Sequence, residues 1–501
     1  MSMGRRNGRN GHEGDPAGSG GPWRWVATER PRPARVRAGR AAPWLAVGTV
    51  CFGAFMGQLD ASIVTLAFPA LHRQFAAPLA AVQWVSLAYL VTLVTLLIPA
   101  GRVADAAGRK LVYLYGFVVF TVASAACGLA PSLGALVGFR VLQAVGAAML
   151  QANSVALVTT SVPRPRARLR AALGVQAGAQ ALGLALGPTL GGLLVATVGW
   201  RWVFAINVPV GVVAVAAGRY LLPRTRERTP LGELDWPGLV LLTAAATAGL
   251  LALSAGSGLA LPVWAVLALG AVTLAAAGGF VRRERRAAEP LLDLTLLGRD
   301  RADLGLVGAL GGYLVLFGPL VLVPVVLTNA GVATAHAGLV LTALPAGFAA
   351  AATAGGRLRV LGSDRRRHRI GALLAAAALG VLAVAPLHLP VLAVALAVVG
   401  LGLGVFTPAN NAMIMAAIPA RASATGGGLV NLARGLGTAL GVALPILVLH
   451  LAAQARHPTA GPHLAMGVLL LVTIATMLMP TVTTTASRHH PTATGPITKP
   501  H

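Results

Sequence analysis

The run Leu59-Asp60-Ala61-Ser62-Ile63-Val64-Thr65-Leu66-Ala67-Phe68-Pro69-Ala70-Leu71 sets one carboxylate inside an otherwise apolar stretch. A charge in hydrocarbon is costly, so an ionisable side chain within a span normally faces a bundle interior or a water-filled cavity and is functional by default. Desolvation favours the neutral acid and a nearby cation favours the ionised one, so modest changes in hydration move a proton on or off such a group. Asp60 is therefore the expected proton site. The plainer alternative is a carboxylate that merely hydrogen-bonds a neighbouring helix. A second embedded charge is Arg140, in Phe139-Arg140-Val141-Leu142-Gln143-Ala144-Val145-Gly146. At a rise of ~1.5 Å per residue, Asp60 lies roughly 16 Å from an outer end at Leu71, and Arg140 roughly 12 Å from an outer end near Ser132. Opposite charges at similar depth tend to pair, directly or through water. Depth alone does not establish contact, and Arg140 bonded only to carbonyls of its neighbours is the alternative.

The elements that carry these groups follow from composition. Of 501 residues 56% are hydrophobic and 11% charged, and the apolar runs repeatedly exceed the ~20 residues that cross a bilayer. Windows fall at 44–71, 80–100, 111–130, 133–156, 171–197, 202–222, 237–256, 262–281, 304–328, 336–356, 370–387, 390–418, 424–450 and 462–481. The expected fold is an all-α polytopic membrane protein of fourteen transmembrane helices. The 61 Gly and 32 Pro count against a soluble helical protein, whereas membrane helices tolerate both where neighbours satisfy the backbone.

The formal net charge of +26 raises nucleic acid as a partner, but its placement follows topology instead. With the N-terminus inside, cytoplasmic segments hold 35 of the 40 Lys and Arg, external loops hold Arg73, Arg201 and Arg456, and Arg140 and Arg434 lie within spans. That is the positive-inside distribution and puts both termini in the cytoplasm. Residues 1–43 read as a disordered basic cytoplasmic tail that orients the first helix, with the lipid bilayer rather than nucleic acid as its partner. Cys51 and Cys127 fall within spans, and no Cys or His spacing matches a zinc site, so neither a disulfide framework nor a metal nor another cofactor is expected. The use of 38 Arg against two Lys points to a GC-rich genome and a bacterial cell membrane.

Along the first helix Gly53, Gly57, Asp60 and Val64 share one face. The second span runs into Gly101 to Lys110, a tight cytoplasmic turn in which glycines permit reversal, Asp105 can cap the next helix, and Arg109 with Lys110 hold the loop inside. In the fifth span Gly183, Gly187 and Gly191 recur every four residues beside Pro188 and Gly192, giving a close-packing face with a local bend. An internal repeat appears at an offset of about 254 residues, where Gly174, Gln180, Gly183 and Gly187 align with Gly428, Arg434, Gly437 and Gly441. Each pair is eight spans apart, so the expected division is an N-terminal six-helix bundle at 44–222, two linker helices with flanking loops at 223–302, a C-terminal bundle at 303–481 and a tail at 482–501. Within this frame Gln58, Gln143, Gln151, Asn153, Asn410, Asn411, Asn431 and Arg434 are candidates for a substrate cavity. One acid among several amides suits amphipathic or neutral organic compounds and gives little support for dications. Asp235-Trp236-Pro237-Gly238 marks the start of the seventh helix.

On these residues the chain resembles the fourteen-span drug:proton antiporter family of the major facilitator superfamily, across 44 to 481. Its first-helix signature is Leu59-Asp60 through Pro69, its loop signature Gly101 to Lys110, its fourth-helix signature the stretch around Arg140, and its antiporter signature Gly183 to Gly192. The resemblance implies two six-helix bundles plus two linker helices. It implies a rocker-switch exporter in which Asp60 and Arg140 take part in proton coupling and Asp105 with Arg109, between Gly101 and Gly108, acts in a cytoplasmic gate. Ala106 stands where the family usually has a basic residue, Ala144 where it has Gly, and the loop Arg357 to Arg369 is degenerate. The expected function is proton-driven export of an amphipathic drug or antibiotic by a monomer, with no enzymatic step. An ATP-driven pump is excluded on this chain, because a phosphate loop needs Gly-Lys-Ser/Thr and the lysines are Lys110 and Lys499. An importer or facilitator of a small metabolite is the main alternative, with a membrane enzyme and a non-transporting sensor behind it.

Overall fold

A computed structural model describes residues 41–162, 166–225, 235–287, 302–354, 362–418, 423–457 and 459–478, with Glu29, Arg32, Pro33, Gly39, Pro290 and Leu291. A chain this apolar must satisfy its backbone within each segment, which leaves helices as the spanning unit. The long helices are α1 (Ala42–Ile63), α2 (Trp84–Ala107), α3 (Arg109–Gly128), α4 (Leu133–Ser161), α5 (Arg166–Thr197), α6 (Asn207–Leu221) and α7 (Trp236–Gly256). They continue as α8 (Val263–Glu284), α9 (Ala302–Asn329), α10 (Thr334–Thr353), α11 (Asp364–Val384), α12 (Leu389–Ala417), α13 (Ser423–Gln454) and α14 (Gly461–Leu478). Thirteen segments are long and apolar enough to cross a membrane, and the fourteenth expected span coincides with α14, whose apolar part Gly461–Ala475 is shorter. The protein is thus a multi-pass membrane protein with the expected number of helices.

Local sequence sets several boundaries. Ser132 accepts a hydrogen bond from the Ala135 amide at 3.2 Å to open α4, and Asp235 accepts one from Gly238 at 3.0 Å to open α7, as its sequence predicts. Gly108, at φ 119°, makes the reversal between α2 and α3. Asp105 does not cap α3, contrary to expectation. It lies in the last turn of α2 and takes the Arg109 side chain at 2.7 Å instead, which its own helical position makes the nearer partner. The first span is longer than expected, because α1 passes through a 3-10 turn at Val64–Ala67 into a short helix at Phe68–Phe75, around Pro69.

Lipid offers helices no hydrophobic reason to associate, so close packing of small residues must do it. A Cβ on Gly183 would run into the Phe55 carbonyl oxygen, one on Gly187 into Ser62, and one on Gly191 would come within 3.0 Å of Ile63. Together these seat α5 on α1. The repeat is visible in the same contacts: Gly437 of α13 lies against the Leu310 carbonyl of α9, as Gly183 lies against that of Phe55. Helices α1–α6 pack on one another, as do α9–α14.

One end of the molecule carries the basic turns at Arg109, Arg219 and Arg285, and the halves meet differently at its two ends. Away from the basic end, Leu66 and Leu184 join the core of the second half, while Val321, Ala443 and Ile446 join that of the first. There a Cβ on Gly192 would sit 2.7 Å from the Thr334 carbonyl oxygen and 3.0 Å from Cα of Gly338, so α5 is pressed on α10. Toward the basic end a Cβ on Gly174 or Gly178 of α5 would meet nothing within 4 Å. The expected linker pair is not wholly peripheral: α8 is largely exposed, but α7 touches α2 and α13, one helix from each half. Gln83 and Trp84 donate to the Ser254 hydroxyl at 2.9 and 3.1 Å, which fixes α7 there.

The expected disordered tail at 1–43 lies mostly outside the described residues, as do the tail at 482–501 and the loop residues Arg357 to Val360. At one described point the N-terminal segment is pinned. The buried Glu29 carboxylate accepts from the Thr225 amide at 2.7 Å, the Thr225 hydroxyl at 2.9 Å and the Leu111 amide at 3.3 Å. The last is a first-turn donor of α3 that has no partner within its own helix.

Gly183→Val forces a branched side chain against the α1 backbone, and overpacking of this kind costs about 1–3 kcal/mol. Thermal unfolding in detergent should show a lower midpoint for Gly183→Val and an unchanged one for Gly178→Ala.

Candidate functional site

Asp60 is fully buried and Arg140 is 1% exposed, so neither charge is hydrated from lipid or bulk water. Arg140 Nη1 lies 2.6 Å from Asp60 Oδ2, which settles the open question of their contact. Gln143 Nε2 donates to Asp60 Oδ1 at 2.9 Å, and Asn207 Nδ2 donates to the same oxygen at 3.1 Å. Two further donors of Arg140 are engaged: Nε meets the Val85 carbonyl at 2.9 Å, and Nη1 also meets Gln143 Oε1 at 2.6 Å. Gln143 Nε2 donates as well to Ser124 Oγ at 2.7 Å, which locks the amide's orientation. The guanidinium carbon sits 4.0 Å from the centre of the Tyr89 ring, over its negative face. One carboxylate therefore gathers groups from α1, α2, α3, α4 and α6. Every partner of the carboxylate is a donor, so a proton on Asp60 cancels the negative charge that holds them.

A separate cavity of about 120 Å³ lies between the halves, lined by Gln58, Gln151, Gln180, Asn431 and Arg434 with the rings of Tyr89, Tyr313 and Phe317. Asp60 is not among its lining residues, but Gly57 and Ala61 on either side of it are. Tyr89 belongs to both sites, lining the cavity and stacking on Arg140. Its hydroxyl is buried and has no hydrogen-bond partner among the described residues. Arg434 lies 5.2 Å from the Tyr313 ring centre.

Of the eight sequence candidates for the cavity, Gln58, Gln151, Asn431 and Arg434 line it. The other four lie elsewhere. Gln143 serves the ion pair, Asn153 donates to the Met149 carbonyl of its own helix at 2.7 Å, Asn410 donates to the Gly305 carbonyl at 2.9 Å, and Asn411 is half-buried on α12. Sequence reasoning missed Asn207, Ser124, Tyr89 and Gln180 as functional groups. A signal existed for Asn207, an amide in a span otherwise free of them. At the basic end Asp105 and Arg109 pair at 2.7 Å and both are partly exposed, while Gly101 is helical, its Cβ position 3.8 Å from Ala152 of α4. Gly183, Gly187 and Gly191 bear on the Asp60 helix, whereas the Pro188 carbonyl and Gly192 face Gly338 of the second half.

The sequence profile described as Major Facilitator Superfamily matches residues 50–442. Among curated proteins, a methylenomycin A resistance protein of Streptomyces coelicolor is 31% identical over 84% of this chain and 88% of its own length. A tetracenomycin C resistance and export protein of Streptomyces glaucescens is 36% identical over 51% of this chain, a match that spans 47% of that protein. A riboflavin transporter of Clostridioides difficile is 29% identical over 80% of this chain and 87% of its own. Among solved structures, a peptide transporter POT in complex with sulfate superposes with a TM-score of 0.63 at 16% identity, covering 90% of this chain and 96% of that one, a likeness of fold alone.

Removing one member of a buried pair leaves an uncompensated charge, at a cost of about 3–5 kcal/mol. A double-mutant cycle of Asp60→Asn and Arg140→Gln, read by unfolding in detergent, should therefore give a coupling energy of about 2 kcal/mol, within the range for residues in one network.

Proposed function

The chain belongs to the major facilitator superfamily, and on that premise we propose that it is a proton-coupled antiporter that exports amphipathic drugs or antibiotics by alternating access. The observation that carries this reading is the buried carboxylate of Asp60, held by three donors, one of them the Arg140 guanidinium that stacks on Tyr89, a ring of the cavity wall. Protonation of Asp60 cancels the negative charge that holds Arg140, which loosens α1 from α4 and α6. Cargo against Tyr89 presses on the same guanidinium from the cavity side. Proton and cargo thus act on one element, as an exchanger requires. The resistance and export proteins similar to this chain support a drug or antibiotic as cargo.

The positive-inside distribution of Lys and Arg supports a cytoplasmic basic end, with both termini on that side, in a bacterial cell membrane. The conformation is then closed outside, where α5 meets α10, and open inside along Gly174 and Gly178. The rocking halves pivot on the glycine face of Gly183, Gly187 and Gly191 with Pro188 and Gly192, and Asp105–Arg109 with Gly101 and Gly108 forms the cytoplasmic gate. The protein works as a monomer and catalyses no covalent step. One pH unit supplies ~1.4 kcal/mol per proton, and each 100 mV adds ~2.3 kcal/mol per charge moved.

A second reading, facilitated passage of a small aromatic metabolite, draws on the similarity to a riboflavin transporter. Transport in inside-out vesicles separates the two. For the antiporter, an imposed pH gradient drives accumulation of a compound from a toxic panel by about tenfold per unit for one proton exchanged. Asp60→Asn abolishes that accumulation but keeps gradient-free exchange of labelled for unlabelled compound. Uptake that ignores the pH gradient in the unaltered protein sinks the antiporter reading. In the same assay Tyr89→Phe should behave as the parent, since the hydroxyl bonds nothing, whereas Tyr89→Ala should lose coupling.

A further inference from the structure

The charges embedded in the membrane do not balance. Of fourteen acidic residues, Asp60 alone sits in the middle of a span, and Asp105, Glu284, Asp303 and Asp364 fall in the terminal turns of theirs. Asp60 is already matched by Arg140. Arg434, in the body of α13, has no carboxylate partner among the described residues, although it is the one ionised side chain lining the cavity. Its Nε is buried without a hydrogen-bond partner among the described residues, and its guanidinium carbon lies 5.2 Å from the centre of the Tyr313 ring. An arginine stays protonated under all relevant conditions, and a cation within a span takes a counter-charge or carbonyls where it can.

The internal repeat gives a control for a merely structural role. Gln180 holds the position in α5 that Arg434 holds in α13, and both line the cavity. A neutral amide therefore suffices to fill this place in one half. The charge in the other half is an addition that the packing does not call for.

We propose that the cavity selects cargo bearing a negative charge, which pairs with the Arg434 guanidinium while its apolar part lies against Tyr313 and Tyr89. This rests on the export reading above and narrows it to acidic amphiphiles such as aromatic carboxylates, sulfonates and phenolates. An anion that presents two oxygens side by side, as a carboxylate or sulfonate does, matches the fork of an arginine better than a point charge. Outward movement of an anion also runs with the membrane potential of a cell negative inside, so potential and pH gradient both drive the exchange.

The test uses two probes that share one ring and carry permanent opposite charges, 1-naphthalenesulfonate and trimethyl(1-naphthyl)ammonium, in inside-out vesicles holding the full chain. The unaltered protein should accumulate the sulfonate in preference to the ammonium. Arg434→Gln should lower sulfonate transport by about tenfold to a hundredfold, the worth of a charged hydrogen bond, Arg434→Lys should keep part of it, and Arg434→Glu should shift the preference to the ammonium. A shift of preference cannot come from misfolding, and size-exclusion chromatography checks each variant. Preference for the ammonium in the unaltered protein, a ratio indifferent to Arg434→Glu, or transport of neither probe overturns the proposal. Loss of pH-driven transport of antibiotics in Asp60→Asn would still uphold the export reading in those cases, so the two fail separately.

Discussion

A salt bridge shut inside hydrocarbon is the constraint on which the first half of the molecule is built. Asp60 and Arg140 are both buried, so each must find its partners in protein, and the Val85 carbonyl, Gln143, Ser124, Asn207 and the Tyr89 face supply them. Taking such charges out of water is expensive, and a buried pair is on balance weak support for stability. Its retention at the junction of five helices therefore calls for another use. A network in which one proton cancels the charge that three donors share offers that use, because packed cores respond in discrete rearrangements rather than by small continuous deformation.

The glycine faces explain how such an event can reach the other half. The helix that clamps α1 through Gly183, Gly187 and Gly191 also meets α10 of the second half through Gly192. Side chains at these places would hold the helices apart, and the Asp60 helix would lose its rigid link to the seam. The equivalent contact of Gly437 with Leu310 builds the second half in the same way. What the second half lacks is the acid, and what it adds is Arg434. The two halves share packing and divide the chemistry.

Much of this was legible in the sequence, and the gaps have physical causes. Span count and the two embedded charges follow from hydropathy, since each is a large free-energy signal. That Asp60 and Arg140 touch was not legible, because rise per residue gives depth but not the direction a side chain faces. Helices apolar on all sides carry no amphipathic stripe to orient them. For that reason Asn153 could not be distinguished from Gln151, although one bonds back to its own helix and the other lines the cavity. Tyr89 and Ser124 carry no signal of their own in the sequence, and their roles come from the guanidinium and Gln143 beside them. Asp105 was misassigned as a cap because the end of α2 falls after it, at Ala107, rather than before it.

Proton binding at Asp60 itself is most directly observed by difference infrared spectroscopy on the reconstituted protein as the medium is acidified. The account predicts that a protonated-carboxyl stretching band grows in, shifts when cargo is added, and is missing from Asp60→Asn. An identical band in that variant, or none in the unaltered protein across the range where transport runs, would contradict it.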